Sequence, residues 1–164
     1  MFTTAQAAQV AAIGIGATAL MDAWVALLRR LGVPGTQLAF IGRWVGHLRR
    51  GRIAHASIAR AEPVRGELAL GWLTHYAVGV AFAALLVALQ GTAWLQQPSL
   101  GPALLFGLAS VAAPWLVMQP AMGQGVASRR TPTPLRNALR GLANHAAFGI
   151  GLYATAALLA ATAP

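Results

Sequence analysis

Apolar residues gather in four long stretches along this chain, at about 5–28, 68–89, 100–122 and 139–161. At a helical rise of 1.5 Å per residue, each stretch is long enough to cross about 30 Å of hydrocarbon. The segment between the first two has a different pattern. In TQLAFIGRWVGHLRR, Phe40, Ile41, Trp44, Val45 and Leu48 share one helical face, with Arg43, His47 and Arg50 opposite. A basic helix with an aromatic on its apolar side lies in the head-group plane. Pro34-Gly35 ends the preceding helix, and Thr36 is the expected N-cap. The predicted fold is all-α: one polytopic membrane domain over residues 1–164, with four transmembrane helices and one interfacial amphipathic helix.

Composition supports this class. The chain is 57% hydrophobic and only 9% charged, against about 25% charged in a soluble domain. Such a chain lacks the polar surface to cover a water-facing shell. All twelve basic residues are arginine and the acids are Asp22, Glu62 and Glu67, for a net charge of +9. In a soluble protein that balance would suggest nucleic acid. Here the arginines sit in the connections between apolar stretches and no recognition motif accompanies them, so anionic lipid head groups are the expected partner and nucleic acid is not. Arg43, Trp44, His47, Arg49 and Arg50 are the candidate head-group contacts, and His55 is expected to be solvated. There is no cysteine, which excludes disulfides, Fe–S clusters and thiolate chemistry.

The arginines also orient the chain. Every one falls in the first or third connection, residues 29–67 or 123–138, or at the edge of the span that follows, as Arg140 does. The positive-inside rule then puts both connections in the cytoplasm and both termini outside, periplasmic for an inner-membrane protein. The first stretch is read as a span rather than a signal peptide, because its arginine pair, Arg29-Arg30, follows the apolar run. Gly14-Ile15-Gly16-Ala17-Thr18-Ala19 imitates a dinucleotide fingerprint, but no strand precedes it and no acid follows at the required distance. Small residues for helix packing explain it better.

Candidate chemistry lies in a duplicated string. GWLTHYAVG at 71–79 and GLANHAAFG at 141–149 both read Gly-x-x-x-His-x-x-x-Gly. Leu20-Met21-Asp22 and Val117-Met118-Gln119 are a second, weaker match in the odd-numbered spans. Spans one and three run inward and spans two and four outward, so the chain reads as two helical hairpins in parallel orientation. His75 falls about 12 Å inward of Glu67, and Asp22 about 10 Å outward of Arg29. With Gln119 and His145, they make one polar residue per span in the cytoplasmic half. An ionised Asp22 facing lipid would cost roughly 3 kcal/mol or more, so it is expected to face the interior, with His75 and His145 as partners.

Three readings of this layer remain open. The two imidazoles, each with glycine one turn either side, are candidate axial ligands of a b-type haem, and Met21 and Met118 add thioethers that suit a copper ion. A carboxylate with two imidazoles is also a relay for proton- or cation-coupled transport, which with four spans calls for a homo-oligomer. The third reading is a structural polar layer in an accessory membrane subunit, with Thr18 contributing. Catalysis is not expected: Ser110, Thr18 and Thr74 are present, but no Ser-His-Asp or metalloprotease spacing accompanies them.

The ordered set LMDAW, GRWVGH, GWLTHYAVG, LVMQPAMG and SRRTPTPLRNALRG, spanning about 14–159, resembles a family of small bacterial inner-membrane proteins, domain of unknown function 2938. The resemblance implies four spans in a bacterial inner membrane. It implies no substrate, cofactor or catalytic residue.

Overall fold

A computed structural model describes residues 2–35 and 37–162. Among them the ordered elements are helical, with no strand. In chain order they are α1 (Thr4–Arg30), α2 (Leu38–Leu48), α3 (Glu67–Gln90), α4 (Leu100–Ser110), α5 (Gln119–Ala121) and α6 (Pro134–Thr162), with a π-helical turn at Pro114–Met118 between α4 and α5. Four segments are long and apolar enough to cross a membrane: Thr4–Arg30, Glu67–Gln90, Leu100–Ala121 and Pro134–Thr162. They coincide with the four apolar stretches. The fourth starts earlier than expected because Pro134, whose fixed φ suits the first helical position, opens the helix, and Asn137 donates its N–H to the Thr133 carbonyl.

Local signals account for the helix ends. Thr3 and Gln6 form a capping box at the start of α1, and Arg29 and Arg30 occupy its last turn, where the helix dipole favours cations. Gly91, at φ 83°, stops α3 in a conformation that costs a side-chain-bearing residue energy. Thr36, the expected cap of α2, lies outside the described residues, and Gln37 at the N-cap position makes no side-chain capping bond.

The chain divides into two compact units. The first comprises 1–35, 76–110 and 143–164. Its core joins Val10, Ile13 and Ala17 of α1 to Leu86 and Val87 of α3 and to Phe148 and Leu152 of α6, with Trp94 and Leu95 from the short turn between spans. Small residues set how closely these helices approach. A Cβ on Gly14 would lie 2.5 Å from Val80 Cα, and one on Gly107 would lie 2.5 Å from Gly149 Cα. α1 therefore touches α3, and α4 touches α6, backbone to backbone, the contact that small residues permit between apolar helices.

The second unit comprises 36–75 and 111–142. Its apolar cluster is Ile41, Ile58 and Met122, with Phe40, Trp44 and Met118 against it. The connection after α2 is tied to the end of the third span by two backbone bonds, from His55 N–H to the Ala121 carbonyl at 2.8 Å and from Ile58 N–H to the Met122 carbonyl at 3.1 Å.

Candidate functional site

The four polar residues of the spans fall two in each unit: Asp22 and His145 in the first, His75 and Gln119 in the second. Asp22 Oδ2 accepts a hydrogen bond from the Tyr76 hydroxyl at 3.1 Å. His145 Nδ1 lies 2.7 Å from Ser110 Oγ, and that hydroxyl donates to the Gly107 carbonyl at 2.6 Å. A serine has one proton to give, so the His145 tautomer consistent with both contacts carries its hydrogen on Nδ1 and donates to Ser110. In the second unit, Gln119 Oε1 accepts from Ser128 Oγ at 3.2 Å, and His75 stands edge-on to Trp72 with ring centroids 6.3 Å apart.

The glycines of the duplicated string meet protein. The Cβ position of Gly79 is filled by Thr18 Oγ1 and that of Gly71 by the Leu38 carbonyl, while a Cβ on Gly149 would lie 2.8 Å from the Ala103 carbonyl. Close helix contact uses the space that a flat macrocycle would need. Met21 packs on the core of the first unit and Met118 on the apolar cluster of the second. Among the described residues no group of three or more His, Asp or Glu is placed to hold a metal ion.

The expected outer face of α2 is corrected by burial. Arg43 and His47, placed by periodicity among head-group contacts, are 8% and 2% exposed, and His55, expected in solvent, is 6% exposed. Arg43 is bidentate on Glu67, Nε to Oε2 at 2.8 Å and Nη2 to Oε1 at 2.7 Å. Its Nη1 donates to the carbonyls of Ile58, Ala59 and Ala61 at 3.1–3.3 Å. Every guanidinium nitrogen is engaged, the condition under which a buried arginine is tolerated. Its hydrogen bonds to Glu67 hold the Arg43 pKa above the ordinary value against the opposing effect of burial. Gly42 permits this pairing, since the Glu67 carbonyl fills its Cβ position. Trp44 donates its indole N–H to the Ile53 carbonyl at 2.9 Å, while Arg49 and Arg50 remain exposed.

His47 Nδ1 and His55 Nε2 are 2.7 Å apart, with ring planes 23° from parallel and centroids at 4.9 Å. That centroid separation is the hydrogen bond plus the two ring radii, so the rings meet edge to edge along an N–H···N line. Two lone pairs aimed at each other share a proton; a metal ion bound by both would need about 2 Å to each nitrogen and hence a wider gap on that line. His55 Nδ1 is buried and makes no hydrogen bond among the described residues. Burial is the main cause lowering the His55 pKa, and the charge of Arg52 adds to it.

Sequence reasoning missed Tyr76, Ser110, Ser128, Glu67 and His55 as partners. For Glu67 a signal was present. Arg43 stands in an apolar helix between Gly42 and Gly46, a context for burial, and the chain has only three acids to neutralise it.

The family model described as a protein of unknown function (DUF2938) matches residues 11–159. No curated protein and no solved structure matches the chain.

Proposed function

Because the chain belongs to the DUF2938 family of proteins of unknown function, we propose a role from its own geometry: an accessory protein of the bacterial inner membrane whose intramembrane polar residues tie its spans together. The carrying observation is that Asp22 and His145 each meet a hydroxyl from another span of their own unit, Tyr76 at 3.1 Å and Ser110 at 2.7 Å. Such contacts hold membrane helices together with about 0.6–2 kcal/mol each. In this reading Asp22 and His145 in the first unit, and His75 and Gln119 in the second, have structural roles within their own units. Both termini are periplasmic, the arginine-rich connections are cytoplasmic, and the exposed Arg49 and Arg50 with Trp44 meet anionic head groups. The two hairpins are parallel repeats, a reading supported by Gly79 and Gly149 each taking a close contact from the span before it. The haem reading has less support because the glycine faces are filled, and the copper reading because Met21 and Met118 pack into separate apolar clusters.

A second reading, proton- or cation-coupled transport by a homo-oligomer, draws on the π-helical turn Pro114–Met118, which lies just past Ser110. Turns of this kind are frequent at functional sites. Proteoliposomes separate the two. The accessory reading expects Tyr76→Phe and Ser110→Ala to lower unfolding stability while wild-type vesicles leak protons and sodium no faster than empty ones. Protein-dependent flux abolished by Ser110→Ala would establish transport instead.

A further inference from the structure

The turn after the third span combines backbone strain, unneutralised charge and a cavity. Ala127 is at φ 49° and ψ 41° within the turn Val126–Ser128, and Ser128 is at φ 63°. Two successive residues with side chains in the left-handed region are uncommon. Such a conformation persists only where its surroundings enforce it. Here Ser128 Oγ donates to Gln119 Oε1 at 3.2 Å, Arg130 N–H donates to the Gln124 carbonyl at 2.8 Å, and Thr131 Oγ1 donates to the Ser128 carbonyl at 2.7 Å. The base is fixed as well. The Cβ position of Gly123 is filled by the Ala56 carbonyl, beside the two backbone bonds that hold His55 and Ile58 to Ala121 and Met122.

On this platform the strained turn sets Arg129 and Arg130 side by side, both exposed. They rim an open cavity of about 290 Å³ whose other lining residues are Pro120, Gly125 and Val126. The stem of Arg130 is laid across Gly125, where a Cβ would come within 2.9 Å of Arg130 Cγ. Gly125 is also at φ 72°, so the residue that seats the stem is one whose backbone favours glycine.

No acid among the described residues neutralises the pair. Neither arginine forms an ion pair among the described residues, and the acids Glu62 and Glu67 are engaged by Arg50 and Arg43. The sequence has no acid after Glu67. The amide N–H groups of residues 128–131 are already bonded to carbonyls. The guanidinium groups are therefore the charged partners an anion would meet here, with Pro120 and Val126 offering apolar surface beside it.

We propose that Arg129 and Arg130 form a binding site for the phosphate of an anionic phospholipid, whose acyl chain runs down the outside of the third span from Pro120. The proposal rests on the membrane reading and adds a defined lipid site to it. The chemistry is that of any phosphate monoanion or diester, but the apolar lining and the position at the end of a span favour the lipid. A basic residue near an anionic membrane surface contributes about fivefold in affinity, so about thirtyfold is expected for both.

The test is lipid retention by the full chain in phosphatidylcholine nanodiscs titrated with phosphatidylglycerol, read by native mass spectrometry. Arg129→Gln/Arg130→Gln should weaken phosphatidylglycerol retention about thirtyfold relative to phosphatidylcholine, and the charge-matched Arg60→Gln/Arg65→Gln control about twofold or less. Equal loss in both double variants would show diffuse surface charge and overturn the site. Binding of inorganic phosphate at millimolar or lower concentration to the lipid-free protein in detergent, lost in Arg129→Gln/Arg130→Gln, together with no preference for phosphatidylglycerol in nanodiscs, would overturn the lipid assignment in favour of a soluble phosphate. Ala127→Gly supplies a variant that relieves strain without removing charge. Loss of retention there, with the fold intact by circular dichroism, is the expected sign that the strained turn aims the arginines; unchanged retention would contradict that aim. Failure of the wild-type chain to enter nanodiscs at all would be a failure of the membrane reading, seen before any lipid is compared.

Discussion

His47 Nδ1 lies 2.7 Å from His55 Nε2 in an edge-to-edge pair, and the far nitrogen of His55 is buried without a hydrogen-bond partner among the described residues. The pair joins α2 to the connection whose backbone is bonded to Ala121 and Met122. Because burial lowers the His55 pKa below its ordinary value of 6.5, the unfolded chain binds a proton there before the folded chain does. Stability from this group is present above about pH 6.5 and is lost as pH falls from there through the folded-state value. Amide hydrogen exchange at His55 and Ile58, corrected for intrinsic rate, should therefore lose protection as pH is lowered from 7 to 5. The loss should be smaller in His55→Phe. A flat profile in the wild type would contradict the assignment.

The Arg43–Glu67 pair carries a second prediction. With the side chains 10% and 18% exposed, removing one partner leaves a largely buried charge. Arg43→Met should destabilise by about 3 kcal/mol, the lower part of the range for breaking a buried pair. Replacing both, as Arg43→Met/Glu67→Leu, should recover much of that loss, because two charges no longer need desolvation. Reversible unfolding in mixed micelles gives both numbers. A double variant no better than the single would mean that the carbonyl contacts of Arg43 matter more than its ion pair.

Helix spacing in the first unit gives a third. Gly107→Ala would place a methyl 2.5 Å from Gly149 Cα, so the α4–α6 contact must open. Overpacking of this kind costs about 1–3 kcal/mol. Gly101→Ala is the control, since a Cβ there meets nothing within 4 Å and alanine favours the helix by up to about 1 kcal/mol. Thermal aggregation midpoints should move down for the first and hold or rise for the second. Equal shifts would remove close packing as the reason for Gly107.

These contacts show which features the sequence carries. The four long apolar helices were legible because their length and composition are written in continuous stretches of sequence that no packing detail alters. The sequence also picked out Asp22 and His145 as polar residues within long apolar helices, since apolar surroundings make them conspicuous. Their partners were not legible. Tyr76 and Ser110 are ordinary in an apolar run, and their pairing with residues 54 and 35 positions away is set by helix rotation. The amphipathic reading of α2 failed at Arg43 and His47 for a related reason. Periodicity separates apolar from polar faces, but a polar face supplied with Glu67, three carbonyls and a second histidine can be the buried one.

The pairing of spans by their polar residues is most directly tested by a double-mutant cycle on Asp22 and Tyr76 in a bilayer. Asp22→Asn, Tyr76→Phe and the double variant would be compared by unfolding free energy, with proton flux recorded on the same vesicles. The structural account predicts a coupling of about 1 kcal/mol and no protein-dependent flux. Zero coupling together with a proton flux lost in Asp22→Asn would contradict it.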